Sequence, residues 1–319
     1  MTTALLIIAG LVALALGGEF LVRGTVGLAR RFGVSPLLAG LVIVGFGTSA
    51  PELVTSLQAA TSGVPDLAVG NVVGSNIANI LLILGVSAMI IPLPIAPPAF
   101  YRDGFALSMA TLAALAGVLL GGFDRLSGIL LAMMLVTYII AAYITDKDRA
   151  DPEAERHERN QSQKPDTKRA LFLLIAMTAG GIAGVVFGAQ WLIEGSVTLA
   201  RGFGISEAVI GLTIVAVGTS LPELVACAAA ALKKEPDVAL GNIVGSGIYN
   251  IFGILGITAA IVPLPAPAEI AGFDIFVLTG VTALLMLFLR TGWTISRKEG
   301  AVFVVAYLCY LGWQLAGAL

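Results

Sequence analysis

Apolar residues run in stretches of about 20 along the whole chain, and polar residues gather between them. A helical stretch of that length, rising about 1.5 Å per residue, crosses roughly 30 Å of hydrocarbon. Ten stretches are read, at about 4–22, 37–61, 67–91, 104–122, 126–145, 170–193, 207–232, 238–262, 271–290 and 300–318. A membrane barrel would instead alternate apolar and polar at every second position. In lipid each backbone amide needs a partner within the protein, which a helix supplies to itself. The pattern therefore predicts an all-α polytopic membrane protein. The first run begins without the basic stretch of a signal peptide and is read as a membrane helix.

The stretches differ in texture. Those at 37–61, 67–91, 207–232 and 238–262 are rich in Gly, Ser, Thr and Asn, whereas the others are smoother, as lipid-facing helices should be. Residues 146–169 are mostly charged and polar and predict a flexible linker. A regulatory ion-binding loop is the sharper alternative, but the acids there are mixed with bases and lack a Gly-turned calcium loop. The expected organisation is a first five-helix unit (1–145), the linker (146–169) and a second five-helix unit (170–319).

Basic residues fall unevenly between the two faces. Sixteen of the 18 Lys and Arg lie on the face that also receives the linker, and only Arg125 and Arg201 on the other. The basic face is expected to be cytoplasmic, with both termini outside a cell (inner) membrane. Composition agrees with the membrane reading: 58% of residues are hydrophobic, 12% are charged and the mean hydropathy is +0.97. A net charge of −2 predicts no nucleic-acid partner. Cys227 and Cys309 lie inside apolar runs and read as small hydrophobes. His157 stands alone in the linker and reads as solvated. One histidine and no Walker-type loop leave no enzyme active site to read, and no cofactor is expected.

The sequence also repeats itself. Shifted by 171 residues, LVIVGFGTSAPELV (41–54) falls on LTIVAVGTSLPELV (212–225), and PDLAVGNVVGSNIANILLILG (65–85) on PDVALGNIVGSGIYNIFGILG (236–256). From Thr48 to Gly85, 22 of 38 positions are identical, which identifies a duplication. Five helices are odd in number, so the second unit must enter the membrane from the opposite side. The expected architecture is ten transmembrane helices as two inverted-topology five-helix repeats, and substrate sites in such folds lie near the midplane at broken helices. Packing would preserve Gly and apolar residues in both copies, but not Thr-Ser-x-Pro-Glu in the middle of a span.

Glu52 and Glu223 occupy that motif. An ionised acid at mid-membrane costs roughly 2.5–3.5 kcal/mol even on the lenient insertion scale, so two at equivalent positions require compensation, and a bound cation supplies it. Pro51 cannot donate to the carbonyl four residues back, which frees Gly47 O, and Pro222 does the same for Gly218 O. Freed carbonyls are hard oxygen ligands. Thr48 lies one turn before Glu52. Ser49 adds a hydroxyl or caps the second half-helix. In the next span Ser75 and Asn79, four apart, present oxygens on one face, and Ser246 and Asn250 repeat them. Asn76 has Gly247 as its counterpart. The Gly70–Asn71 and Gly74 pattern, repeated as Gly241–Asn242 and Gly245, reads as close helix packing. A set of oxygen donors without His or Cys selects hard cations, and one Ca2+ or two Na+ would neutralise two carboxylates. Glu19 and Glu194 have no acidic counterparts and are expected to snorkel or pair near helix ends. Asp103 and Asp274 correspond, each before an apolar run, and read as N-caps.

GTSAPE with GNVVGSNIAN, repeated as GTSLPE with GNIVGSGIYN, resembles the alpha repeats of the sodium/calcium exchanger family, within the calcium/cation antiporter superfamily. The likeness is to a prokaryotic-type member and covers nearly the whole chain. It implies exchange of Ca2+ for Na+ by alternating access, with ligands Thr48, Ser49, Glu52, Ser75, Asn79, Thr219, Ser220, Glu223, Ser246 and Asn250, joined by backbone carbonyls near Gly45 and Ala216. The expected partners are Ca2+, Na+ and the lipid bilayer, with the protein working as a monomer. Potassium-dependent members, and several prokaryotic ones, carry Asp where Asn250 stands, and the missing charge argues against a potassium requirement here. A Ca2+/H+ antiporter on the same scaffold is the alternative, because buried carboxyls can also carry protons. A passive cation channel is the third.

Overall fold

The computed structural model describes residues 2–147, 168–203, 216–268 and 270–318. It is helical almost throughout. The helices are α1 (Thr2–Phe32), α2 (Pro36–Thr48), α3 (Ala50–Thr61), α4 (Pro65–Ile90), α5 (Pro97–Leu119) and α6 (Arg125–Lys147). They continue as α7 (Lys168–Gly202), α8 (Ala216–Thr219), α9 (Leu221–Leu232), α10 (Pro236–Ile261), α11 (Ile270–Gly292) and α12 (Arg297–Ala318). Among the described residues seven helices are long and apolar enough to cross a membrane, and α2 with α3 makes an eighth if that bent pair is one span. The stretch expected at 207–232 begins in residues outside those described, and α9 is its described apolar part. The linker from 148 to 167, with His157, also lies outside the described residues. Asp146 and Lys147 still belong to α6.

Helices outrun their apolar stretches at several ends. The run expected at 4–22 continues to Phe32, and the one at 170–193 to Gly202. Hydropathy reports where lipid ends, not where the helix ends. Glu19 shows the difference. Its carboxylate pairs within α1 to Arg23 at 2.5 Å and across to Lys233 at 2.5 Å, which satisfies the charge while the helix continues. Glu194 is exposed on α7.

Texture sorts the helices as the sequence predicts. In α10, 83% of the most apolar window is buried, and in α4, 72%, against 17% in α7. The polar, small-residue helices thus form the centre, and α7 presents its greasy surface outward. α1 and α7 run antiparallel in close contact: Gly10 meets Gly188, Gly17 meets Gly184 and Val185, and Gly24 meets Thr178. These glycines recur every seven residues on α1, two helical turns, so they stay on one face.

Short strands cross-link the two halves. β1 (Leu93–Pro94) pairs antiparallel with β4 (Thr294–Ile295), and β2 (Gly122–Phe123) with β3 (Leu264–Pro265). Under the 171 shift β1 corresponds to β3, so each half lends a strand to the other. Thr111 and Thr282, also equivalent, touch hydroxyl to hydroxyl at 3.3 Å.

Asp103 and Asp274 are not helix caps. Each lies inside a helix that began several residues earlier, in a wide π-type turn at Phe100–Gly104 or Ile270–Asp274, so no free helix N-terminus exists there to cap. Asp103 instead accepts Arg102 Nε at 2.6 Å, Arg102 Nη2 at 2.9 Å and the Tyr138 hydroxyl at 2.9 Å. Asp274 accepts Tyr310 at 2.9 Å and Gln314 at 2.7 Å. A hydrogen bond to a charged group contributes about 1.5–3 kcal/mol. Tyr138→Phe is therefore expected to lower the thermal unfolding midpoint of the purified protein by several degrees. An unchanged midpoint would show that the Asp103 cluster holds nothing.

Candidate functional site

Both repeats break a helix at the same motif. α2 ends at Thr48, Ser49 takes φ −86° and ψ 8°, and α3 starts with Pro51 in its first turn, bent by 42° from α2. α8 ends at Thr219, Ser220 takes φ −91° and ψ 6°, and α9 starts with Pro222 in its first turn. Glu52 and Glu223 lie in the first turn of the second piece, where unpaired backbone N–H groups and the helix dipole favour negative charge. They are 3% and 2% exposed, so neither carboxylate is solvated from bulk water.

The site is assembled across the two halves. Ser49 Oγ donates to Glu223 Oε1 at 2.8 Å, so the first repeat's hydroxyl meets the second repeat's carboxylate. Ser49 is the residue before α3, but its hydroxyl does not cap it. Thr48 Oγ1 contacts Val44 O at 3.0 Å and Asn242 Oδ1 at 3.3 Å. Ser246 Oγ donates to Gly45 O at 3.2 Å. The absence of a side chain at Gly45 favours that approach, because a Cβ there would sit 3.0 Å from Ser246 N, a tight contact with backbone. A cavity of about 150 Å³ brings Glu52, Thr55 and Asn71 of the first half against Thr219 and Pro222 of the second, with Gln190 of α7.

The remaining expected ligands are less connected. Ser75, Asn79, Ser220 and Asn250 are all buried. None of the hydrogen bonds among the described residues joins Ser75, Asn79 or Asn250 to either glutamate. Ala216 opens α8 in the position equivalent to Gly45. Among the described residues six buried side-chain oxygens have no hydrogen-bond partner, and three of them belong to expected ligands: Glu52 Oε2, Glu223 Oε2 and Asn250 Oδ1. Leaving such an acceptor unsatisfied costs about 1–3 kcal/mol, more when it is charged. Among the described residues no three of His, Cys, Asp and Glu come together. The donors are therefore two carboxylates among hydroxyl, amide and carbonyl oxygens, a set that fits a hard cation held as cargo.

Sequence reasoning missed part of the local design. α4 and α10 widen into π-type turns at Asn79–Leu84 and Tyr249–Leu255, directly at the expected ligands Asn79 and Asn250. Such bulges displace the side chains that follow and are frequent at functional positions. Asn71 and Asn242, read as part of a packing pattern, bond to the glutamate-bearing helices instead. Their recurrence at the 171 shift was the available signal. The glycines beside Asn242 do pack, since Gly241 and Gly245 abut the backbone at Leu37 and Leu41, but Gly70 and Gly74 do not: a Cβ on Gly70 would meet only Ile270 Cδ1 at 4.0 Å, and one on Gly74 no neighbour within 4 Å. Asn76 also gains an account. A Cβ on Gly247 would stand 3.2 Å from Asn76 Oδ1 and 2.9 Å from Leu107 Cδ1, so the Asn76 side chain packs against the space that its bare counterpart leaves. Cys227 is fully buried and accepts an amide N–H from Asn242, which makes it more than a small hydrophobe.

The family described as sodium/calcium exchanger protein matches residues 2–144 and 173–316. The chain is 36% identical over 315 residues to a protein named putative antiporter CaxA from Alkalimonas amylolytica, covering 97% of this chain and 98% of that one. It is 31% identical over 346 residues to the sodium/calcium exchanger MaX1 of Methanosarcina acetivorans, covering 96% and 97%. A solved structure of the sodium-calcium exchanger NCX_Mj superposes with a TM-score of 0.84 at 30% identity, covering 98% of each chain. With both copies of the motif inside the matched segments, the chain belongs to the sodium/calcium exchanger family, whose members are membrane transporters and not enzymes.

Proposed function

We propose that the protein is a secondary antiporter that exchanges Ca2+ for Na+ by alternating access, and that it exports Ca2+ electrogenically. The observation that carries this reading is the Ser49–Glu223 contact, in which a ligand-type hydroxyl of one repeat meets the carboxylate of the other. A site divided between two halves opens to one side when the halves shift against each other. Thr48, Ser49, Glu52, Ser75 and Asn79, with Thr219, Ser220, Glu223, Ser246 and Asn250 and the carbonyls of Gly45 and Ala216, are the proposed ligands. The two carboxylates serve both ions, so Na+ arriving displaces Ca2+. If more than two Na+ counter one Ca2+, each cycle moves net charge, and inward Na+ drives Ca2+ out.

The proposed architecture is two inverted five-helix repeats, 1–145 and 170–319, joined by the 146–169 linker in the cytoplasm, with ten spans and both termini outside. The contact of Thr111 with its own equivalent Thr282 and the exchanged strands support a two-fold relation between the halves. The asymmetry of Lys and Arg supports the orientation.

The test is Ca2+ flux in proteoliposomes. An imposed Na+ gradient is expected to drive Ca2+ uphill, and Na+ on the Ca2+ side to raise the Ca2+ concentration needed for half-maximal flux. Flux that ignores Na+ and follows a pH gradient would instead establish Ca2+/H+ antiport. A gradient-independent current of high conductance would establish a channel.

A further inference from the structure

Outside the proposed ligand set, one pair of side chains makes the same unusual contacts in both halves. Asn71 Nδ2 donates to Glu52 O at 3.4 Å and to Ser56 Oγ at 3.0 Å. Asn242 Nδ2 donates to Glu223 O at 3.4 Å and to Cys227 Sγ at 2.9 Å. In each case an amide on the following helix reaches back to the glutamate's own carbonyl and to the side chain one turn further on. The bond ties the half-helix that bears the glutamate to its neighbour, α3 to α4 and α9 to α10. The same geometry kept in both copies of the repeat, with different acceptors at the second contact, argues for a shared task.

Asn242 does more. With both amide protons committed to Glu223 O and Cys227, its Oδ1 points the other way. There it faces Thr48 Oγ1 at 3.3 Å and Ser246 Oγ at 3.5 Å. Those two hydroxyls come from opposite repeats, and both also contact Gly45 O. Asn242 is 1% exposed, so these contacts are shielded from bulk water. The amide oxygen thus offers both hydroxyls a second acceptor beside the shorter contacts that Thr48 makes to Val44 O at 3.0 Å and Ser246 to Gly45 O at 3.2 Å. Without its oxygen, Thr48 and Ser246 keep only the carbonyls of Val44 and Gly45 as acceptors.

We propose that Asn71 and Asn242 are positioning residues for the cation site. They hold each glutamate in place through its backbone, and Asn242 in addition orients the Thr48, Ser246 and Gly45 oxygens. This rests on reading the site as a cation site.

Isothermal titration of Ca2+ into purified full-length protein tests it, with wild type, Asn71→Ala, Asn242→Ala, Thr48→Val and the Asn242→Ala/Thr48→Val double variant. Asn242→Ala is expected to weaken Ca2+ binding about tenfold, and Asn71→Ala by a smaller factor of at least threefold. The thermal midpoint monitors folding, and the loss of affinity is expected in protein whose midpoint remains near wild type. Because Asn242 acts in part through Thr48, the double variant is expected to bind less weakly than the product of the two single losses requires. Multiplicative losses would overturn the link through Thr48. Wild-type affinity in both Asn variants would overturn the proposal altogether. If Asn242→Ala does not fold, Asn71→Ala decides: wild-type affinity there overturns the positioning role. Wild-type protein that binds neither Ca2+ nor Na+ overturns the reading of the site itself, a different result from unchanged affinity in the variants.

Discussion

Glu223→Gln is expected to abolish Ca2+ exchange while leaving a folded protein. Glutamine is nearly isosteric and keeps an oxygen for the Ser49 hydroxyl, which Glu223 accepts at 2.8 Å, so the contact between the halves survives. What is lost is one unit of negative charge in a site 2% exposed to solvent. Two unit charges 4 Å apart interact by ~4 kcal/mol at an effective dielectric constant of about 20, and a divalent ion doubles this. Desolvation of the ion takes back part of it, and every 1.4 kcal/mol corresponds to about tenfold in affinity. A loss of at least about 10³-fold in Ca2+ affinity follows, with flux at background. Glu52→Gln is expected to behave alike, since Glu52 lies at the equivalent break and carries the other unpartnered carboxylate oxygen. Flux assays with an unfolding measurement on the same preparations decide. Either variant exchanging Ca2+ at the wild-type rate would remove the glutamates from the proposed mechanism.

Gly17→Leu is expected to have the largest effect on folding. A Cβ at Gly17 would lie 2.7 Å from Val185 N and 2.8 Å from the Gly184 carbonyl carbon, both backbone atoms of α7. Backbone cannot turn aside as a side chain can, so α1 and α7 must separate along their length. Overpacking a tight contact costs typically about 1–3 kcal/mol, and an unrelieved backbone collision lies at the upper end. The measurement is the yield of monodisperse protein and its thermal midpoint, both expected to fall sharply. Gly180→Leu is the control: on the same α7, no described atom lies within 4 Å of its added Cβ, and the substitution is expected to be tolerated. Equal behaviour of the two variants would contradict the close packing of α1 on α7.

The same residues show what is legible before folding. Glu52 and Glu223 stand out because an acid inside an apolar run is costly wherever the run folds, and a duplication marks them twice. Pro51 and Pro222 announce a break because a missing N–H acts within one turn. Asp103 misled because its position before an apolar run resembles a cap, and only the helix that starts at Pro97 removes that reading. Asn71 and Asn242 were visible as repeated residues, yet nothing local says whether an asparagine packs or ties.

Sequence by itself determined that the chain is a membrane protein, that its two halves are copies, and that each copy carries a glutamate beside a proline inside an apolar run. Hydropathy, self-similarity and backbone chemistry are properties of short segments, so they need no knowledge of the fold. Only the tertiary structure decided which groups meet. Ser49 reaches Glu223 across 174 residues and Thr48 reaches Asn242 across 194. Such contacts arise from the packing of α2 and α3 against α9 and α10, set by glycines that admit backbone to backbone. Even the wide turns at Asn79 and Tyr249 depend on it, since a helix takes on a π-type turn where its surroundings stabilise it.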